Sequence, residues 1–187
     1  MIKRDSILAR VAFCSIALLG ILLPDLGSEK AECVDRGFTR YTDPAGRFTL
    51  DYPATMKVDA SKPEQVRIYH PQASLRINIF LEKRASKKVQ DANVLLTVFK
   101  KRMKEEMKDF SIVEDGKLAR LGGSQAFLIC TFRDRREIQM VQLVHYWVTK
   151  DNLLQLIISD RPEGFKNLLE VIRKIHGSLR VEGAQLK

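Results

Sequence analysis

Three histidines, two cysteines beyond the N-terminal segment and two knots of basic residues are the side chains here with chemistry to offer. His70 precedes Pro71 in a turn pattern, His145 falls inside a strand pattern, and His176 ends a helical one. No pair of them stands at HxH, HxxxH or HExxH spacing, which would set two imidazoles on one metal ion. The sequence therefore implies no metal and no cofactor. A cationic His176 would be stabilised by the dipole of the helix it ends, and His145 shares a strand face with Trp147, which reads as packing. Cys130 and His145 lie on strands expected to be neighbours, and a thiol beside an imidazole is the minimum for nucleophilic hydrolysis. Yet Cys130 alternates onto the face of Leu128 and Phe132, where an apolar setting makes a poor thiolate. A small hydrolase using Cys130 or His145 is the enzymatic reading, and no G-x-S-x-G elbow, P-loop or dinucleotide glycine motif accompanies it. The leading expectation is no enzyme. His145, Tyr146 and Trp147 are also the candidates for a pocket between sheet and helix, the reading of a small-ligand carrier.

The basic knots are Lys83, Arg84, Lys87 and Lys88 before a helical segment, and Arg133, Arg135 and Arg136 in one strand connection. Either could hold phosphate or carboxylate groups, with arginine suited to bidentate contacts. The whole chain carries 32 Lys and Arg against 23 Asp and Glu, a net charge of +9. Such a domain is drawn to anionic surfaces by long-range, salt-sensitive attraction, or simply kept soluble by its charge. No aromatic stacking pattern accompanies the charge, so nucleic acid is not the expected partner.

Where the chain works bears on what that charge meets. Lys3, Arg4 and Arg10 precede an apolar run from Val11 to Leu23 that Pro24 closes, the pattern of a signal peptide. Thirteen helical residues rise about 20 Å, short of a bilayer's hydrocarbon core of about 30 Å. Charged residues from Asp25 to Glu32 crowd the small ones, leaving no clean cleavage site, so residues 1–32 read as a signal peptide or an uncleaved N-terminal anchor. Those residues hold four basic and four acidic side chains, so residues 33–187 keep 28 against 19, the full +9. Cys33 is a poor lipid-attachment site behind Ala31-Glu32. A Cys33–Cys130 bridge would close a long loop in an oxidising compartment, but the strand pattern around Cys130 favours a free thiol. The expected setting is extracytoplasmic, periplasmic or secreted, with membrane proximity if the N-terminus is kept. The expected partner there is a protein or an anionic component of the envelope.

The elements that must position these residues follow from periodicity. Residues 38–41 and 48–52 alternate as a hairpin around Asp43-Pro44-Ala45-Gly46, and 65–69 pairs with 75–81 through His70-Pro71. From the N-cap Asp91 the period becomes helical, with Leu96, Phe99, Met103, Met107 and Phe110 on one stripe. Strand patterns follow at 111–113, 117–121, 124–132, 138–148 and 153–159, with turns read at Asp115-Gly116 and Gly122-Gly123. The strand 138–148 is apolar on both faces and so should be central and covered on both sides. Pro162 opens a last helix that stops at Gly177, and residues 178–181 add a short strand. The fold class is α+β: one domain over residues 33–187, an antiparallel sheet covered by helices as an α/β/α-type sandwich.

Local residues add a resemblance. Tyr41-Thr42-Asp43 leading to Gly46-Arg47-Phe48-Thr49-Leu50-Asp51-Tyr52-Pro53 resembles the PsbP-like fold family, as does the long helix running into Phe110-Ser111-Ile112-Val113. Leu121-Gly122-Gly123-Ser124-Gln125-Ala126 and the C-terminal run from Leu154 through Phe165 to Ile175-His176-Gly177-Ser178-Leu179 extend it across residues 38–182. The family includes PsbP proteins of photosystem II, exported DcrB-type proteins and Mog-type Ran-binding factors. One departure is Met56, where many members place a tryptophan. The resemblance implies a non-enzymatic binding or assembly role, at the level of fold.

Overall fold

The computed structural model describes residues 37–83, 91–120, 123–149 and 152–181, without the side chains of 83, 117–120 and 123. The expectations for residues 1–32, Cys33 and the Gly122 turn therefore lie outside the described residues. The first strands, β1 (Phe38–Thr42) and β2 (Phe48–Pro53), form the hairpin that alternation predicts. Its turn is closed by the Gly46 N–H on the Asp43 carbonyl at 2.8 Å and the Asp43 N–H on the Phe48 carbonyl at 3.0 Å. Gly46 sits at φ +71°, the left-handed region that glycine enters at no steric cost.

Next come β3 (Lys57–Lys62), β4 (Gln65–Tyr69), β5 (Arg76–Lys83), α1 (Ala92–Glu106), β6 (Lys108–Arg120), β7 (Gly123–Arg133), β8 (Gln139–Val148) and β9 (Asn152–Asp160). The chain then forms α2 (Pro162–Asn167), α3 (Leu169–Ser178) and β10 (Arg180–Val181). Two antiparallel sheets result: β1-β2-β10, and a seven-stranded sheet in the order β3-β4-β5-β9-β8-β7-β6.

Side chains of the large sheet divide by the period of two. Leu143 and Trp147 of β8, Leu154, Leu156 and Ile158 of β9, and Ile77 and Ile79 of β5 join one cluster with Phe48, Leu50, Phe165, Ile172 and Ile175. The alternate residues Val144, Tyr146 and Val148 join Ala126, Leu128 and Cys130 of β7, against Ala92, Leu96 and Met103 of α1. Strand β8 is thus buried on both faces in mid-sheet, as its doubly apolar sequence requires. Met56 is 5% exposed within the first cluster, filling core space.

Three local expectations are corrected, and one strand is added. Asp115-Gly116 is no turn: β6 runs unbroken past it, with register shifts nearer its start. Gly116 answers a packing need instead, since a Cβ there would stand 2.6 Å from Cε1 of Phe127. Strand β3, mostly exposed and carrying two lysines, shows too little apolar alternation to be read ahead of the structure. The last helix is broken at Leu168 (φ −103°, ψ 17°) into α2 and α3. Helix α1 ends at Glu106, so Met107 and Phe110 pack on the same cluster from beyond it.

Candidate functional site

Alternation along β8 separates the residues that could do chemistry. Cys130 pairs in register with Gln142 and packs in the α1-side cluster. His145 pairs with Phe127 and Leu156 and so projects, with Trp147, from the other face. The sheet stands between thiol and imidazole. Cys130 is free and fully buried, and burial pushes its thiol up to about 12, so the nucleophilic thiolate is suppressed at neutral pH. His145 meets an unforeseen partner: its Nδ1 lies 2.7 Å from Nε2 of His176 on the last turn of α3. Such a bond needs one ring as donor and the other as acceptor. The His145 ring also stacks on Trp147, centroids 5.8 Å apart and 21° between planes. Together these contacts tie α3 to the middle of the sheet. Among the described residues no cluster of three or more His, Cys, Asp or Glu could hold a metal ion.

The cations are distributed by the strand register. Lys83 closes β5 opposite Asn152, beside the Val148 end of β8, while Arg133 closes β7 opposite Gln139, the other end. Ten residues of β8 span about 30 Å, several times the Debye length of about 8 Å at physiological salt. The backbone positions of Lys83 and Arg133 thus fall at opposite ends of the sheet. The Lys83 side chain, Arg84, Lys87 and Lys88 lie outside the described residues.

At the β7–β8 tip the charges sort themselves. Arg133 Nε bonds Asp109 Oδ2 at 2.7 Å and Lys108 Nζ bonds Glu137 Oε1 at 2.5 Å. Asp134 turns its carboxylate inward, accepting the N–H groups of Arg136 (2.8 Å) and Ile138 (3.0 Å). Arg135 and Arg136 remain exposed, with no ion-pair partner among the described residues. Arg161, exposed just after β9, stands at the same end of the sheet; it caps a helix and belongs to no motif, so no sequence signal marks it.

Tyr146, alternate to His145 and Trp147, reaches a different place. It lines a cleft of about 710 Å³ with Phe80, Leu153, Gln155, Glu64, Glu82 and Arg47. Its hydroxyl accepts a hydrogen bond from Gln155 Nε2 at 2.7 Å, and Phe99 of α1 meets its ring edge-on at 6.3 Å. Burial pushes the phenol up to about 12, so it stays protonated. The three adjacent pocket candidates are thus split, Tyr146 in the cleft and the other two on the opposite face. Phe80 was the overlooked signal: an aromatic residue on the β5 phase opposite Ile77, Ile79 and Leu81, 37% exposed.

Arg47 is held at the rim by Asp43. Its Nε and Nη2 each lie 2.7 Å from a carboxylate oxygen, and Nη2 also donates to the Pro63 carbonyl at 2.8 Å. The guanidinium beside Asp43 holds that carboxyl below the usual range. The ion pair so braces the β1–β2 turn, and the Arg47 bond to the Pro63 carbonyl joins that turn to the β3–β4 turn.

No family model matches the sequence, and no curated protein matches it. Solved structures do. Cyanobacterial PsbP (CyanoP) from Synechocystis sp. PCC 6803 superposes with a TM-score of 0.62 at 12% identity, over 85% of this chain and 98% of that one. LpqN, involved in cell envelope biogenesis of Mycobacterium tuberculosis, gives 0.57 at 13% identity over 78% and 90%. The Ran-binding protein Mog1p of Saccharomyces cerevisiae gives 0.54 at 8% identity over 78% and 95%. The PsbP-like fold read from the motifs is the fold of this chain, and at these identities the likeness is one of fold.

Proposed function

We propose that this protein is a non-enzymatic binding or assembly module of the cell envelope, exported by its N-terminal segment and docking on an anionic partner through basic loops. The observation that carries the reading is the β7–β8 tip, where Arg135 and Arg136 stay exposed while Arg133 and Lys108 are neutralised. The net charge of +9 and the sealing of Cys130 and His145 on opposite faces support it. So does the fold shared with LpqN, an envelope-biogenesis protein, and with Mog1p, a protein that binds another protein. Among the described residues no helix is long and apolar enough to cross a membrane; the candidate anchor lies outside them.

The test is sedimentation with vesicles of anionic or of neutral phospholipid across a salt series. An arginine near an anionic surface contributes about 1 kcal/mol. Replacing Arg135 and Arg136 by alanine should then weaken binding about 30-fold at low salt. Binding that ignores salt, or survives the double substitution unchanged, rejects the basic-tip reading.

A further inference from the structure

The cleft around Tyr146 has a chemistry of its own. In register, Phe80 of β5 stands opposite Gln155 of β9, and Gln155 opposite Tyr146 of β8, so three side chains form a row across one sheet face. Helix α1 packs over β6, β7 and β8 and leaves the β5 end of that row open to solvent. Leu153 and Pro63 extend the apolar floor. A volume of about 710 Å³ suits a small molecule, since ligand sites run from roughly 300 to 1,000 Å³.

Charge decides which molecule. The cleft's cation, Arg47, is spent on Asp43 and the Pro63 carbonyl. Glu64 and Glu82 also line the cleft, and neither forms an ion pair among the described residues. The carboxylates of Glu64 and Glu82 beside two aromatic rings, with Arg47 already paired to Asp43, make the described lining acidic in a chain of net charge +9. Carboxylates attract a cation by charge, and aromatic faces attract it through their quadrupole. Among the described residues, an anion in the cleft would meet two carboxylates and no cation other than Arg47.

The geometry points to this cleft as a binding site for a small organic cation, an amine or quaternary ammonium carried on an apolar or aromatic body. It goes beyond the proposed docking function and sits toward the Val148 end of the sheet, away from the β7–β8 tip. The phenol oxygen of Tyr146, which accepts from Gln155, would offer an ammonium N–H its remaining lone pair at the inner end of the row.

Calorimetric titration of the full chain with phenethylamine tests the site, with 2-phenylethanol and phenylacetate as neutral and anionic probes of the same body. Phenethylamine should bind saturably, and the other two at least about tenfold more weakly, the scale of one charge-assisted hydrogen bond. The double variant E64Q/E82Q should lose about that factor for the amine alone, while F80A should weaken all three probes. Both variants alter exposed groups, and unchanged thermal unfolding will certify their folds. Phenylacetate binding as tightly as the amine, amine binding undiminished in E64Q/E82Q, or no binding of any probe would overturn the proposal. R135A/R136A should leave the amine titration untouched, so the two sites stand or fall separately.

Discussion

Replacing Asp43 by alanine should be among the costliest single changes to the exposed half of the small sheet. The carboxylate is 1% exposed and accepts four hydrogen bonds, two from the Arg47 guanidinium at 2.7 Å and two from the Ala45 and Arg47 N–H groups at 3.2 Å. Removing one partner of a buried ion pair costs about 3–5 kcal/mol. Arg47 is 21% exposed and keeps its Pro63 bond, so it partly rehydrates. The lower end, about 3 kcal/mol, is therefore expected, and for a domain of this size Tm should fall by about 6–12 °C. The sign with pH follows from the lowered carboxyl of Asp43, caused first by the Arg47 side chain. A depressed acid contributes stability above its unfolded value, about 3.9, and that stability is lost as pH falls through the folded value. Urea and thermal unfolding of the wild type, D43A, R47A and the double variant, followed by circular dichroism, measure both the cost and its coupling. A loss below about 1 kcal/mol at neutral pH, or one that persists undiminished in strong acid, would refute the reasoning.

Asp160 should behave in the opposite sense. Burial raises its carboxyl, against the bonds from the Ser74 hydroxyl and the Arg161 N–H. Its folded form holds a proton longer than the unfolded chain, so stability should fall as pH rises from the ordinary carboxylate range through the raised value. D160N should abolish that fall, and parallel pH curves for the two proteins would contradict it. Cys130 should ignore a thiol reagent in the folded protein at mildly alkaline pH and react fully on unfolding, because only the thiolate attacks; rapid reaction of the native protein would show an access route. H176A should cost about 1–2 kcal/mol, by removing a partner from a histidine that is 3% exposed; an unchanged midpoint in urea would show that the imidazole pair does not hold α3.

Much of the architecture was legible in order along the chain. The β1–β2 hairpin, the Asp91 cap of α1, the opening of α2 at Pro162 and the doubly apolar β8 all express local preferences that short stretches carry complete. Errors arose where a local signal had a distant cause. Asp115-Gly116 looks like a turn because glycine often supplies one, whereas the ring of Phe127 on the next strand is what excludes a side chain there.

By itself the sequence determined the residue types, the alternation that sends Cys130 inward with Leu128, and the charge of +9. Each follows from composition or from a period of two or 3.6, which no distant contact needs to inform. Tertiary structure alone decided the meetings. It brought His176 to His145 across 31 positions, placed Lys83 and Arg133 at opposite ends of one sheet, and set Phe80, Gln155 and Tyr146 in a row. Those outcomes depend on strand order and register, which long-range burial selects among many pairings that the same local pattern would permit.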